Sequence, residues 1–251
     1  VQLTVDHPDA GNYDLSSLRV LAYGGSVISA AVLRRAMARF ANAGFVQVYG
    51  MTEMAPSMTV LTSEDHLQGA VRPELLGSAG RASLINEIRV VDVHGNEVAR
   101  GTVGEVVARG PGVMLGYWNK PEVTKATVKD GWMHTGDGGR MDDEGYLYIV
   151  DRMKDLIIVS GFNVYPAEVE EVLLEHPGIG EAVVVGVPHP HTGEAVKAYV
   201  VCRPGVHLDE DAVIEHCTDH LARYKAPTKV MIVDALPKGF GGKVLRPDLR
   251  S

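Results

Sequence analysis

Residues 148–166 read YIVDRMKDLIIVSGFNVYP. Two apolar, strand-like stretches flank Asp151, Arg152, Met153, Lys154 and Asp155, and the second stretch turns at Gly161. Four charges in five residues are costly to bury between strands, so Asp151, Arg152, Lys154 and Asp155 are expected at a wet boundary. Boundaries of this kind separate domains. The run therefore divides the chain into residues 1–150 and 156–251, with 151–155 as a hinge.

Upstream, LRVLAY reads as a strand, and Ser29 can cap a helix carrying Val32, Leu33, Ala36, Met37 and Phe40 on one face. Gly44 is expected to end that helix before the strand FVQVY, giving a parallel α/β unit. From Gly77 to Val150 the pattern changes to short alternating segments, NEIRVVDV and VGEVVARG among them, broken at His94-Gly95-Asn96 and Arg100-Gly101. Downstream, Val169, Val172 and Leu173 mark a helix, EAVVVGV and AVKAYVVC read as strands, and Val213, Cys217, Leu221 and Tyr224 mark a second helix before the strand VMIV. The expected fold is α/β plus α+β: part of a large α/β domain with a β-barrel-like subdomain from about residue 77, then a small α+β domain.

The chain has 251 residues, 45% hydrophobic and 22% charged, which suits one large or two smaller globular domains. A formal net charge of −8 argues against a nucleic-acid partner, because phosphates would meet an excess of carboxylates. Cys202 and Cys217 are too few for a disulfide framework and match a reducing, cytoplasmic setting. No window reaches the length of a membrane span, and Val1–Ala10 lacks the basic and apolar regions of a signal peptide.

Four motifs follow in order. Tyr49-Gly50-Met51-Thr52-Glu53 sits at a strand end, where open α/β sheets bind ligands, and combines an aromatic face, a close-approach glycine, a hydroxyl and a carboxylate suited to a nucleotide with its magnesium. A strand running into a helix cap made by Thr52 and Glu53 accounts for the same residues equally well. Thr135-Gly136-Asp137 puts a carboxylate after a glycine turn, where it can accept from a vicinal diol such as ribose or simply close an Asx turn. Arg152 offers directional donors and Lys154 a mobile charge, the alternative being a solvated surface pair. Gly239, Gly241 and Gly242 surround Phe240 and give Lys243 a pliable loop able to deliver a cation, the alternative being a flexible loop with an exposed lysine.

That loop is no Walker motif, since Pro237 replaces its first glycine and Val244 its Ser/Thr. His216 and His220 lie one turn apart beside Cys217 without a second ligand pair, so no metal is assigned to them. His189-Pro190-His191 reads as an exposed turn.

Taken together, the motifs resemble the acyl-adenylate-forming superfamily of acyl-CoA synthetases, peptide-synthetase adenylation domains and luciferases. DRMKDLIIVSGFNVYPAEVE and the stretch GYWNKPEVT to GWMHTGD look most like bacterial fatty acyl-CoA synthetases. The resemblance implies ATP and AMP, Mg2+ and coenzyme A as ligands, with a small carboxylic acid as substrate. Gly24, Gly25, Ser26, Tyr49 and Gly50 would line the adenine and acyl region, Thr52 would meet phosphate, Glu53 would hold Mg2+, and Asp137 and Arg152 would bind the ribose hydroxyls. Lys154 matches the pivot of domain rotation, Gly161 the glycine beside the pantetheine tunnel, and Lys243 the lysine bridging the carboxylate and the α-phosphate.

The family's Ser/Thr/Gly-rich phosphate loop does not occur in this sequence. The resemblance thus implies the C-terminal half of a longer synthetase, inactive alone, with an N-terminal portion as its partner. It leaves room for a homodimer and for peripheral membrane association. A ligase for another acid or for a carrier protein, and a non-catalytic nucleotide- or CoA-binding module, remain as alternatives.

Overall fold

Unlike most purely parallel sheets, which stay covered on both faces, the first sheet of this chain opens with a parallel pair and then reverses. In a computed structural model that describes residues 1–25, 28, 30–239 and 244–250, helix α1 spans Gln2–Val5, strand β1 Val20–Gly24, helix α2 Ala30–Arg39 and strand β2 Gly44–Tyr49. β1 and β2 pair in parallel, as the α/β reading requires. β3 (Thr59–Leu61), helix α3 (Ser63–Gln68) and β4 (Arg81–Ala82) follow, with β3 antiparallel to both β2 and β4.

Helix α2 buries Val32, Leu33 and Ala36 against Phe45, so the apolar stripe seen in the sequence is the face that packs. Gly44 does not end this helix. The helix stops at Arg39, and Gly44 is the first residue of β2. The expected cap, Ser29, lies outside the described residues.

The strand-rich stretch is a curled sheet. β5 (Glu87–Val91), β6 (Gly104–Arg109), β7 (Val128–Lys129) and β8 (Trp132–Met141) pair antiparallel in the order β5-β6-β8-β7, and β9 (Leu147–Arg152) joins β8. Helix α4 (Pro121–Thr127) precedes β7. Ile88, Val90, Val106, Ala108, Met133 and Leu147 form its core together with Met54 and Met58.

The chain divides into two compact units, Val1–Ile149 and Val150–Ser251. In the second, β10 (Ile157–Val159), β11 (Phe162–Val164), helix α5 (Pro166–Glu175), β12 (Ile179–His189), β13 (Gly193–Cys202), helix α6 (Glu210–His220) and β14 (Lys229–Ile232) build a five-stranded sheet of order β11-β10-β13-β12, with β14 parallel to β13. Val169 and Leu173 of α5 and Val213 and Cys217 of α6 are fully buried against Ile157, Val184 and Val200. Each such side chain contributes about 1.5–3 kcal/mol. Helix α6 is shorter than its periodicity suggests: it ends at His220, and Tyr224 instead lies against the ring of Phe162 at 4.9 Å.

Candidate functional site

β2 ends at Tyr49, and the chain then reverses through Gly50 into a single 3-10 turn, Thr52–Met54. A side chain at Gly50 would place its Cβ 1.7 Å from the carbonyl oxygen of Pro56, so the close approach that needs this glycine is to the chain's own backbone. Met54 and Met58 are buried and pin the loop to the core. The turn is capped by Met51 without any side-chain hydrogen bond. The capping alternative for Thr52 and Glu53 therefore fails. Thr52 is exposed, and Glu53 accepts a hydrogen bond from the Tyr117 hydroxyl at 2.7 Å. That bond to the carboxylate, with partial burial, raises the Tyr117 phenol above its ordinary pKa.

The Thr135-Gly136-Asp137 motif is not the turn expected from its glycine. It lies inside β8, where the pairing with β6 passes from Glu105 opposite Gly138 to Val107 opposite His134, so β8 carries extra residues in a bulge. Gly136 has φ +70° there, a conformation that glycine adopts without strain. The bulge breaks the ladder, and side chains replace the lost bonds. The buried Thr135 hydroxyl donates to Val106 O at 2.7 Å and accepts from the Asp137 amide at 3.0 Å. Glu105 accepts from the Gly136 amide at 3.1 Å and pairs with the His134 ring at 2.8 Å. Asp137 is thereby turned to accept the Tyr49 hydroxyl at 2.7 Å.

The structure thus brings together Tyr49, Gly50, Thr52, Glu53 and Asp137 within the first unit. Gly24 ends β1, where a Cβ would meet Val48 O at 2.2 Å, and Gly25 follows with φ +78°. Ser26 and Lys243 lie outside the described residues. Glu53 fits a hard divalent cation: its carboxylate is oriented by Tyr117, a hydroxyl-bearing exposed Thr52 adjoins it, and Mg2+ is commonly held by one or two carboxylates together with substrate phosphates.

In the second unit Arg152 and Lys154 are exposed, whereas Asp151 is not at a wet boundary. Its side chain is 5% exposed, and the carboxylate accepts the amides of Arg152 and Ala167 at 2.7 and 2.8 Å and pairs with Arg246 at 3.2 Å. Asp155 is half-buried, pairing with Arg246 and Arg250. Two of the four charges are therefore internal, and partners far along the chain offset the desolvation that the local sequence reading held against them. Gly161 follows Ser160 in the β10–β11 turn, with φ of +85° and +51°, a pair typical of two-residue hairpins. No atom lies within 4 Å of a Cβ placed at Gly161.

Sequence reasoning missed Tyr117, Glu105, His134 and Arg246. The acid within VGEVVARG was a signal, being a lone carboxylate in an apolar strand. Among the described residues no group of three or more His, Cys, Asp or Glu could hold a metal. His216 and His220 bond backbone carbonyls instead, His216 that of Val172 at 2.9 Å and His220 that of His216 at 2.8 Å.

Residues 1–118 match the model of the AMP-binding enzyme family, and residues 168–243 that of the AMP-binding enzyme C-terminal domain. The chain is 43% identical over 249 residues to the feruloyl-CoA synthase of Amycolatopsis sp, covering 99% of this chain and 49% of that protein. It is 44% identical over 237 residues to the long-chain-fatty-acid–CoA ligase of Salmonella typhimurium, covering 94% of this chain and 41% of that one. Among solved structures it superposes on the amide bond synthetase McbA of Marinactinospora thermotolerans with a TM-score of 0.89 and 39% identity, covering 99% of this chain and 49% of that one. The chain spans about half the length of the curated relatives it matches.

Proposed function

Since this chain belongs to the family of AMP-binding, adenylate-forming enzymes, we propose that it is the C-terminal half of an acid–thiol ligase that activates a carboxylic acid, a fatty acid in the first instance, with ATP. The carboxylate attacks the α-phosphate to give acyl-AMP and pyrophosphate. The thiol of coenzyme A then attacks the acyl carbon, the thioester forms and AMP leaves. The observation that carries this reading is the meeting of Tyr49 and Asp137, 88 residues apart, beside Thr52 and Glu53.

In this reading Gly24, Gly25, Ser26, Tyr49 and Gly50 line the adenine and acyl region, Asp137 and Arg152 take the ribose hydroxyls, Thr52 meets phosphate and Glu53 holds Mg2+. The ion, when bound, would neutralise charge on the phosphates. Lys243 places a cation where two anions approach, a contribution of about 3 kcal/mol, comparable to one oxyanion-hole donor. Lys154 is the pivot between half-reactions, and Gly161 lies by the path of the pantetheine arm. Positioning and charge stabilisation supply most of the rate.

Two observations favour a partner portion N-terminal to this chain. The relatives are about twice as long. Strand β1 is an edge strand with alternate residues exposed, Val20 at 58%, although parallel pairs are normally covered. The half-chain alone is expected to lack pyrophosphate exchange.

The test is calorimetry with AMP, ATP and CoA on the isolated chain, with pyrophosphate exchange measured on the chain and on the longer parent. Exchange in the parent that Lys243→Ala abolishes, while thioester formation from supplied acyl-AMP survives, is the expected result. Equal loss of both half-reactions would remove Lys243 from its role, and no exchange in the parent would leave a non-catalytic nucleotide- or CoA-binding module. Similarity to an amide bond synthetase favours keeping a second acceptor class, an amine, in the same assay.

A further inference from the structure

Arg246 stands at the centre of an acidic cluster in the second unit. Its guanidinium meets both oxygens of Glu170, at 2.7 and 2.9 Å, Asp151 at 3.2 Å and Asp155 at 3.6 Å. Burial opposes its charge, but Glu170, Asp151 and Asp155 together outweigh that and hold it firmly protonated. Glu170 is pushed up by burial, against the pull of Arg246 and of the Val184 amide it accepts at 2.8 Å.

The three acids belong to different elements. Asp151 and Asp155 bound the hinge, and Asp151 also takes the Ala167 amide in the first turn of α5, a donor that the helix itself leaves unpaired. Glu170 sits farther along α5 and reaches β12.

On the other side, Arg246 opens a short 3-10 turn, Arg246–Leu249, and lies two residues after Val244, which bridges Lys238 across the base of the glycine-rich loop. Leu245 donates to Pro237 O at 2.8 Å. Tyr199 holds the far end of the turn through Leu249 O at 3.0 Å, and Arg250 returns to Asp155 at 2.5 Å and to Lys154 O at 3.3 Å. The stem next to Lys243 is therefore bolted to the hinge segment by side chains.

We propose that Arg246 is a positioning residue that makes Asp151, Asp155, the first turn of α5 and residues 244–250 one rigid piece, so that these segments loosen together or not at all. Only its consequence for turnover rests on the adenylation reading above. One guanidinium can do this because its planar fork serves several carboxylates at once, which an ammonium cannot.

Backbone amide exchange of the full 251-residue chain tests it without requiring activity. Arg246→Met keeps the stem's length but leaves Glu170, Asp151 and Asp155 facing one another without its charge. Protection at Ala167 and across residues 151–155 should then fall by about tenfold or more, together with residues 244–250, while β13 amides such as Val200 keep theirs. Tyr199→Phe, which frees only the far end of the turn, should loosen residues 246–250 and spare the hinge.

Repulsion among acids is relieved by protons, so the loss in Arg246→Met should shrink from pH 7.5 to pH 5.5. A packing defect would not. Loosening confined to residues 244–250, or a hinge loss independent of pH, would overturn the coupling. In the longer parent, Arg246→Met should lower the turnover of adenylation with little change in the KM for ATP. A wild-type parent without adenylation would instead sink the functional reading and leave the exchange result standing.

Discussion

The hydroxyl of Tyr49 donates to Oδ2 of Asp137 at 2.7 Å, joining the end of β2 to the bulge of β8. An aromatic ring is thereby fixed next to a carboxylate, two groups suited to the base and the sugar of the nucleotide proposed as ligand. Tyr49→Phe keeps the ring and removes the bond, worth about 1 kcal/mol, so AMP affinity measured by calorimetry should fall about fivefold. Asp137→Asn should cost more than Tyr49→Phe. Unchanged affinity in both variants would take the pair out of the proposed nucleotide site.

Gly50 and Gly136 are both glycines at the site, for different reasons. Gly50→Ala drives a methyl group into Pro56 O and should destabilise the first unit by about 3 kcal/mol or more, because backbone must move. Gly136→Ala meets nothing within 4 Å and pays only for its positive φ, about 1–2 kcal/mol. Denaturant unfolding followed by tryptophan fluorescence separates the two, since Trp118 and Trp132 both lie in this unit. Equal losses would contradict the assignment.

Glu105 is the acid that holds the bulge. Glu105→Ala leaves the Gly136 amide and the His134 ring without that acceptor, at a cost of about 1–3 kcal/mol, whereas Glu105→Gln retains one acceptor and should lose about half as much. The same fluorescence measurement reads both. If the two variants lost equally, charge rather than acceptance would be what matters.

His66 is a buried group with a pH signature. Its Nδ1 faces Thr62 O at 2.7 Å and must donate, and in the neutral ring Nε2 accepts from the Tyr23 hydroxyl at 2.8 Å. Burial holds its pKa below the ordinary value, against the pull of the Thr62 bond and of Asp65. The unfolded chain therefore binds the proton first, and stability declines as pH falls below about 6.5, the unfolded histidine value. The unfolding midpoint of the first unit should drop between pH 7.5 and 5.5, and His66→Gln should flatten that slope. An unaltered slope in the variant would assign the effect to other groups.

Much of this protein could be read directly. Helix α5 follows from Val169, Val172 and Leu173 at helical spacing, and the β1-α2-β2 unit from two apolar strands around an amphipathic stripe. Local patterns decide such elements because each is a statement about which face meets water. The nearness of Tyr49, Thr52 and Glu53 is given by their order in the chain, and their types suggest the nucleotide role proposed for them.

What the tertiary structure decided concerns partners remote in sequence. The run around Asp151 reads as solvated because four charges lie together, yet Arg246, 95 residues later, makes two of them internal. Thr135-Gly136-Asp137 reads as a turn because glycine breaks local patterns, and only pairing with β6, where Glu105 waits, makes it a bulge. Whether a charge is buried or a glycine turns depends on groups that the fold alone brings within hydrogen-bonding distance. The order of elements and the residue types at the candidate site are properties of the amino-acid sequence, and the orientation of its acids is a property of the packed chain.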